Sequence, residues 1–518
     1  MSKIKKVLAM LLALAMVLGT TLTAFADAGE DGIVGTSDDT GKITVEGIDK
    51  EDGDNVVVTA YPIAMADYDK NKNFIGYTNP YKIKDLTKPE QKELSDIAAG
   101  TLPTGYELTQ EADGTTYSRD GLAVGMYLIC VTGAEAHVYN VAVASIQYKN
   151  ENGQNVIDQG TVNTVDDAKL WVKKSDAPTV EKVIADKDKD KGNSVNVGDE
   201  VPYVVTIDPV PNYGGNYPVL NVVDTLSEGL TYNDDLEVKI GENVLTEDKE
   251  YTLKVEKQKI TVDFVVKGKY TLNDYVGQAV KIAYSATLNE KAKLNEVDNH
   301  NDVILNYTKD SKTEGHDEEA KDKTYTYTFD IDGSITGQVS TEDIITKVGE
   351  IEGEDGEKLP LEGAEFTLFK DASCKNIYTN PNFKTGKVSS DDKGQLHITG
   401  LATGTYYLKE TNAPDGYSLN THVFTIIIAA TYYEDGKLET WSVTIDGAPV
   451  ANFTLNNEGK VTNGEGDGEI TGIDIQNTQL SSLPSTGGIG TTIFTIGGCL
   501  IMIVAAGLFF ASRRKSAK

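Results

Sequence analysis

The stretch Gly400-Leu-Ala-Thr-Gly-Thr-Tyr-Tyr-Leu-Lys-Glu410 aligns without gaps to Gly121-Leu-Ala-Val-Gly-Met-Tyr-Leu-Ile-Cys-Val131. A G-L-A-x-G-x-Y hairpin that recurs in two distant parts of one chain predicts that those parts share a fold. Both copies have strand character, with glycines as turn signals and β-branched or aromatic residues between them. Outside the repeat, Tyr, Thr, Val and Ile are abundant, Gly is frequent and long helical periodicity is scarce. Short alternating runs separated by turn signals predict all-β sandwich domains in tandem. The alignment also exposes one difference: Glu410 stands where the first copy has Val131.

The two ends of the chain have a different character. Lys3, Lys5 and Lys6 precede an apolar stretch from Val7 to about Leu22, which ends in Ala24-Phe25-Ala26. This is the form of a secretory signal peptide over 1–26, with Asp27 as the mature N-terminus. At the other end an uncharged apolar run from Ile489 to Ala511 is followed by Arg513, Arg514 and Lys515. A run of about 20 residues at ~1.5 Å each crosses a ~30 Å hydrocarbon core once, and the cations hold its end in the cytoplasm. Just before it stands Leu483-Pro484-Ser485-Thr486-Gly487, which resembles the L-P-x-T-G sorting signal of Gram-positive surface proteins. That resemblance implies a sortase that cuts between Thr486 and Gly487 and passes the threonyl acyl group to an amine. Residues 483–518 are then a wall-sorting signal with a transmembrane helix.

Charge and cysteine content narrow the function classes. The formal net charge of -32 arises from 48 basic and 80 acidic residues. Removal of the seven basic residues in the two end segments, which hold no acid, leaves 41 against 80, or -39. Such a surface repels nucleic acid and anionic lipid. Arg119 is the sole arginine of the mature part, so bidentate phosphate or carboxylate clamps are nearly absent. Cys130 and Cys374 lie far apart and Cys499 leaves with the tail, so an exported chain of this size takes its robustness from something other than disulfides. The five histidines (His137, His300, His316, His397, His422) have no metal-ligand spacing, and no G-x-S-x-G is present, which disfavours a hydrolase. No cofactor and no metal are expected.

Along the chain, residues 27–41 read as an acidic leader, and 42–174 as the first β domain. Within it, Asp85 to Ala99 is predicted helical, with Leu86, Leu94 and Ile97 on its apolar face and its start at Thr87-Lys88-Pro89-Glu90. A second domain, 175–310, opens at Pro178-Thr-Val-Glu-Lys-Val-Ile. Its loop from Asp186 has its glycine misplaced for a calcium loop and Val197 at the closing position where an acid belongs, and it reads as a charged turn. Ser311 to Lys323 reads as a charged linker, and the third domain spans 324–479, with a tight turn at 464–468.

Tyr406-Tyr-Leu-Lys-Glu-Thr-Asn-Ala-Pro-Asp-Gly-Tyr417 resembles the Y-x-L-x-E-T-x-A-P-x-G-Y box of collagen-adhesin B-type domains, and Leu361-Glu-Gly-Ala-Glu-Phe-Thr-Leu-Phe resembles their L-x-G-A-x-F-x-L. In that family a lysine on the first strand and an asparagine on the last join as an isopeptide bond, with the boxed Glu as catalyst. The resemblance implies Lys347, Asn477 and Glu410 for these roles. Asn477 is in phase with Ile473 and Ile475, so it faces the core. Here an extra segment separates Tyr325-Thr-Tyr-Thr-Phe from Lys347, where the family has almost none.

Val222-Val-Asp-Thr-Leu-Ser-Glu-Gly-Leu-Thr-Tyr resembles the V-x-D-T-L-x-x-G-L-x-Y signature of backbone-pilin middle domains. The match implies Lys182 as nucleophile and Asp224 as catalyst. Two asparagines stay open: Asn301 is in phase with Val303, Leu305 and Tyr307, whereas Asn306 faces the other way. With Val131 in the catalyst's register, no such bond is expected in the first domain. Lys169-Leu-Trp-Val-Lys-Lys-Ser-Asp-Ala-Pro resembles the pilin motif that offers its lysine to the sortase, which implies Lys174, with Lys173 as its rival.

Together these motifs are similar to a major (backbone) pilin of Gram-positive sortase-assembled pili, with tandem Ig-like or transthyretin-like β-sandwiches. They imply a wall-anchored structural subunit rather than an enzyme with turnover. The implied partners are pilus-type and housekeeping sortases, copies of itself in a head-to-tail polymer, other pilins and peptidoglycan. A monomeric wall-anchored adhesin and a minor basal or tip pilin are the alternatives, and no host ligand is implied.

Overall fold

The computed structural model describes residues 35–156, 164–185, 190–213, 218–295, 298–309, 317–331, 344–352, 358–462, 469–480 and 489–515. The signal segment 1–26, the sorting motif 483–487, the turn residues 186–189 and the turn 464–468 lie outside the described residues. Two compact units form, one running to Thr328 with Thr431–Glu439, the other comprising Phe329–Ala430 and Thr440 onward. β-strands dominate both.

In the first unit, a four-stranded sheet and a six-stranded sheet make the first sandwich. Alternation does the sorting: Ile43 and Val45 of strand Thr40–Glu46 are fully buried, while Thr44 between them is only half-buried. Strand Gly125–Thr132 breaks this pattern, being buried on both faces. Its Tyr127, Ile129 and Val131 enter the sandwich core. Met126, Leu128 and Cys130 instead meet Leu94, Ile97 and Ala98 of helix Gln91–Ala99, which covers the outer face. A strand covered on both sides needs no polar face, so its sequence is continuously apolar.

That helix begins later than the sequence predicts. Asp85 accepts from the Thr87 N–H at 2.8 Å and from Thr87 Oγ1 at 2.6 Å, which bends the chain into a turn. The helix starts only after Glu90, whose side chain forms a reciprocal capping box with Glu93.

The repeated hairpin has a physical basis in both copies. Tyr127 Oη donates to the Ala123 carbonyl at 2.7 Å, and the aligned Tyr406 Oη donates to the Ala402 carbonyl at 2.9 Å. The aligned glycines Gly121 and Gly400 have φ of 72° and 78°, a conformation side chains disfavour. Tyr406→Phe removes the tie without opening a cavity and is expected to lower stability by about 1 kcal/mol. Chemical denaturation of the ectodomain measures it.

The second sandwich, also in the first unit, faces two six-stranded sheets across one core. Strand Thr179–Ile184 pairs with Glu200–Asp208, which pairs with Val280–Leu288; in the opposing sheet Leu220–Leu226 pairs with Asn299–Thr308. The linker reading of Ser311–Lys323 is corrected here. Asp317–Tyr327 is a strand that pairs with Asn299–Thr308 over ten residues, from Thr308↔Asp317 to Asn299↔Thr326. Its charges mask a strand pattern: Thr324 and Thr326 are buried, whereas Lys321 pairs with Glu319 and Lys323 with Asp302 toward solvent.

The second unit sets a three-stranded sheet, Lys358–Pro360 with Ile345–Glu352 and Ile473–Asn477, alongside a seven-stranded one. Its first and last strands run parallel, in register from Ile345↔Ile473 to Gly349↔Asn477. Trp441 stacks on Phe453, ring centroids 5.0 Å apart, in its core. The C-terminal helix Ile489–Lys515 contains an apolar span, Ile493–Arg513, of mean hydropathy 2.5. Its large apolar side chains are exposed, as a helix that meets lipid requires.

Candidate functional site

Lys182 and Lys347 are completely buried, which an ammonium tolerates only with partners. Each lies on the opening strand of its sandwich, and each finds one carboxyl and one asparagine.

In the second sandwich, Lys182 Nζ donates to Asp224 Oδ2 and, at 2.7 Å, to Tyr284 Oη. Tyr284 Oη also accepts from Asn301 Nδ2 at 2.7 Å, so the phenol bridges nucleophile and asparagine. Asp224 and Asn301 share a face because Asp224 opposes Val303, two residues from Asn301 on the same strand. Asn306 lies on the opposite face, half-buried, and donates to Asn221 Oδ1 at 2.8 Å. Among the described residues, Asp224 Oδ1 and Asn301 Oδ1 have no hydrogen-bond partner. Burial raises the Asp224 carboxyl and lowers the Lys182 amine, so both move toward their neutral forms. The Tyr203 and Tyr284 rings lie 5.1 and 5.2 Å from Nζ and complete the apolar lining.

In the third sandwich, Lys347 opposes Ile475, and Asn477 follows two residues later on the same face. Lys347 Nζ donates to the Ile475 carbonyl at 2.8 Å and lies 4.0 Å from Glu410 Oε1. Asn477 Nδ2 donates to Glu410 Oε1 at 2.8 Å, and the Asn420 N–H donates to Oε2 at 2.6 Å. Asn477 Oδ1 has no partner among the described residues. Burial pushes the Lys347 amine down to about 8, against the opposing pull of Glu410. Glu410 is buried at the register where the first sandwich buries Val131.

Such a centre is equipped for one acyl substitution. A neutral lysine is nucleophilic, and a protonated carboxyl donates a hydrogen bond to the amide oxygen once the amide turns over. In such a substitution Nζ would bond to the asparagine Cγ, the Cγ–Nδ2 bond would break, and the carboxyl would relay a proton so that ammonia could leave.

Lys174 stands elsewhere. Strand Lys174–Asp176 pairs with His137–Tyr139, with Lys174 opposite Tyr139. Its Nζ lies 2.6 Å from Asp49 Oδ2 and 5.9 Å from the Tyr139 ring centre, with the side chain 27% exposed. Lys173 is exposed, and its carbonyl accepts from the Asn140 N–H at 2.9 Å. Ser175 Oγ accepts from the Asn212 N–H at 3.1 Å, tying this strand to the second sandwich. Trp171 is 71% exposed beside it. None of the three cysteines is paired.

Sequence reading missed Tyr284, Asn420 and Asp49. Tyr284 had a signal, since it is in phase with Ile282 and Ala286 on a core-facing strand. Asn420 and Asp49 act from loops or turns, where side-chain period says nothing.

Comparison with known proteins agrees with this architecture. Residues 197–311 match the model of the Gram-positive pilin backbone subunit's Cna-B-like domain, 347–440 a prealbumin-like fold domain, and 475–518 the LPXTG cell wall anchor motif. The trypsin-resistant surface T6 protein of Streptococcus pyogenes serotype M6 is 26% identical over 538 residues, covering 93% of this chain and 96% of the relative. Fimbrial subunit type 2 of Actinomyces naeslundii is 24% identical over 465 residues, covering 81% and 76% respectively. In fold, the chain is similar to the solved T6 backbone pilin of serotype M6 Streptococcus pyogenes, with a TM-score of 0.56 at 20% identity over 86% of this chain and 99% of that one. The chain is thus homologous to the T6 backbone pilin and carries a Gram-positive pilin-backbone Cna-B-like domain and an LPXTG cell wall anchor motif. Its homologues are structural pilin subunits and not enzymes, and its LPXTG motif indicates a cell wall-anchored surface protein.

Proposed function

We propose that this pilin is polymerised head to tail by a pilus-type sortase, which joins the Thr486 acyl group of one subunit to the Lys174 amine of the next. A housekeeping sortase then links the finished polymer to peptidoglycan. The subunit is made of three modules opening at residues 42, 175 and 329, with the strand Asp317–Tyr327 in the second and not across the boundary expected at 324. Two of these modules carry internal isopeptide bonds, Lys182–Asn301 with Asp224 as catalyst and Lys347–Asn477 with Glu410. The first has none.

The observation that carries the bonds is the pairing of each fully buried lysine with a carboxyl and an asparagine whose amide oxygen lacks a donor among the described residues. Support for the polymer is the matched LPXTG anchor together with a half-exposed lysine at the end of the first module. An anti-subunit blot of cell-wall extract in a denaturing gel tests the polymer: a ladder is expected, and a single band would indicate a monomeric adhesin.

Choice of asparagine has its own test. Peptide mapping of the ectodomain is expected to link Lys182 to Asn301. A Lys182–Asn306 link would keep the bond and overturn the strand-phase assignment.

A further inference from the structure

We propose that Asp49 positions the Lys174 amine and takes the proton that its nitrogen sheds on acylation, a role that rests on Lys174 being the donor lysine. Asp49 is built for one orientation. It caps the short turn Lys50–Asp52, where Oδ1 accepts from the Glu51 N–H at 3.2 Å, and Oδ2 is left to face Lys174 Nζ at 2.6 Å. Its backbone is fixed as well, since its N–H donates to Tyr139 Oη at 2.9 Å. Tyr139 Oη in turn donates to Asp52 at 2.6 Å.

Asp52 anchors this chain of contacts. It is fully buried, accepts from the Ala136 and His137 N–H groups at 3.0 and 2.9 Å, and lies 3.0 Å from His137 Nδ1. A carboxylate with so many donors is rigid, and it holds Tyr139 directly and Asp49 through it. Tyr139 thus serves twice, fixing Asp49 by its hydroxyl and lying beside Lys174 Nζ with its ring. The adjacent Lys173 is exposed, so the cradle distinguishes two neighbouring lysines.

The hydrogen bond from Lys174 holds the Asp49 carboxyl below its usual range, so Asp49 rests as a carboxylate and holds the amine in place. Before attack Lys174 loses one proton to water. As Nζ bonds to the carbonyl carbon of the sortase thioester, the nitrogen becomes strongly acidic, and its excess proton passes to Asp49 Oδ2. The C–S bond breaks, the sortase cysteine leaves as thiolate, and Asp49 returns the proton to it.

The test uses the whole ectodomain, a pilus-type sortase and an L-P-S-T-G peptide as acyl donor, reading the conjugation rate and its site by mass spectrometry. Wild type is expected to carry the peptide on Lys174. Asp49→Asn keeps a hydrogen-bonding group but cannot take the proton, and it should slow conjugation at Lys174 roughly a hundredfold, the scale of a general base. Asp49→Ala should be at least as slow, with both variants melting as wild type does. Asp49→Asn at the wild-type rate would overturn the base role, and Asp49→Ala at that rate the positioning role too. A variant that melts early is replaced by Asp49→Ser, judged by the same rates. A wild-type conjugate on Lys173 or another lysine would instead remove Lys174 as donor, an outcome distinct from both.

Discussion

Lys174→Ala is expected to abolish the high-mass ladder while leaving export, folding and attachment through Thr486 intact. Each subunit of a head-to-tail polymer offers one amine and one acyl group at separate places, and such a heterologous contact propagates as a fibre instead of closing. Lys174 comes at the end of the first sandwich, whereas Thr486 lies beyond the last strand, Ile473–Asn477. Loss of the single amine leaves nothing to extend, so the effect is all or none, and the cell-wall blot reads it directly. Lys173→Ala alone should leave the ladder unchanged. A ladder that persists in the double Lys173→Ala, Lys174→Ala variant would locate the donor amine elsewhere.

The second large effect concerns the buried lysines. The intact mass of the ectodomain is expected to fall two molecules of ammonia short of its sequence mass, and Lys347→Ala or Glu410→Ala should restore one of them. The full sequence mass in wild type would end the isopeptide reading. A link between Lys347 and Asn477 closes most of the third sandwich into a loop, and by analogy with a disulfide over a loop of that size it contributes about 5 kcal/mol. For a domain of this length its loss lowers the melting temperature by roughly 10–20 °C.

Asn477→Ala adds a pH signature, because it leaves Lys347 as a free buried amine. Burial holds that amine at about 8 against an ordinary value of 10.5. The folded state therefore disfavours the ammonium, and the full penalty, about 3 kcal/mol, applies below pH 8. Between about 8 and 10.5 the unfolded chain binds more proton than the folded one, so stability rises with pH across that window. Wild type, with its lysine converted to an amide, should lack this slope. Denaturant melts at neutral and alkaline pH compare the two.

What the sequence disclosed depended on period and on local motifs. The Gly400–Glu410 repeat carried the fold because its tyrosine and glycines are fixed by a local hydrogen bond and a positive φ, which recur wherever the hairpin does. Strand phase separated Asn301 from Asn306, because alternate residues of a strand face opposite sides and the structure buries the Asn301 face. Asp317–Tyr327 was hidden because an edge of alternating Lys, Glu and Asp looks like a solvated tether until its threonines are seen inside. The helix start was misread because Asp85 and Thr87 resemble a cap but form a separate turn. Tyr284 was passed over because a tyrosine on a core face is usually packing, and only the meeting of three strands reveals that its hydroxyl joins a lysine to an asparagine.

The parallel pairing of Ile345–Glu352 with Ile473–Asn477 has a mechanical consequence. Tension applied to the start of the first strand and the end of the last pulls the two strands along each other. All the rungs from Ile345↔Ile473 to Gly349↔Asn477 then resist together, as bolts do in shear. Antiparallel neighbours pulled from one end would instead open a rung at a time, like a zip. The third sandwich is therefore stiffest along the line between those two strand ends, even before any covalent link is counted.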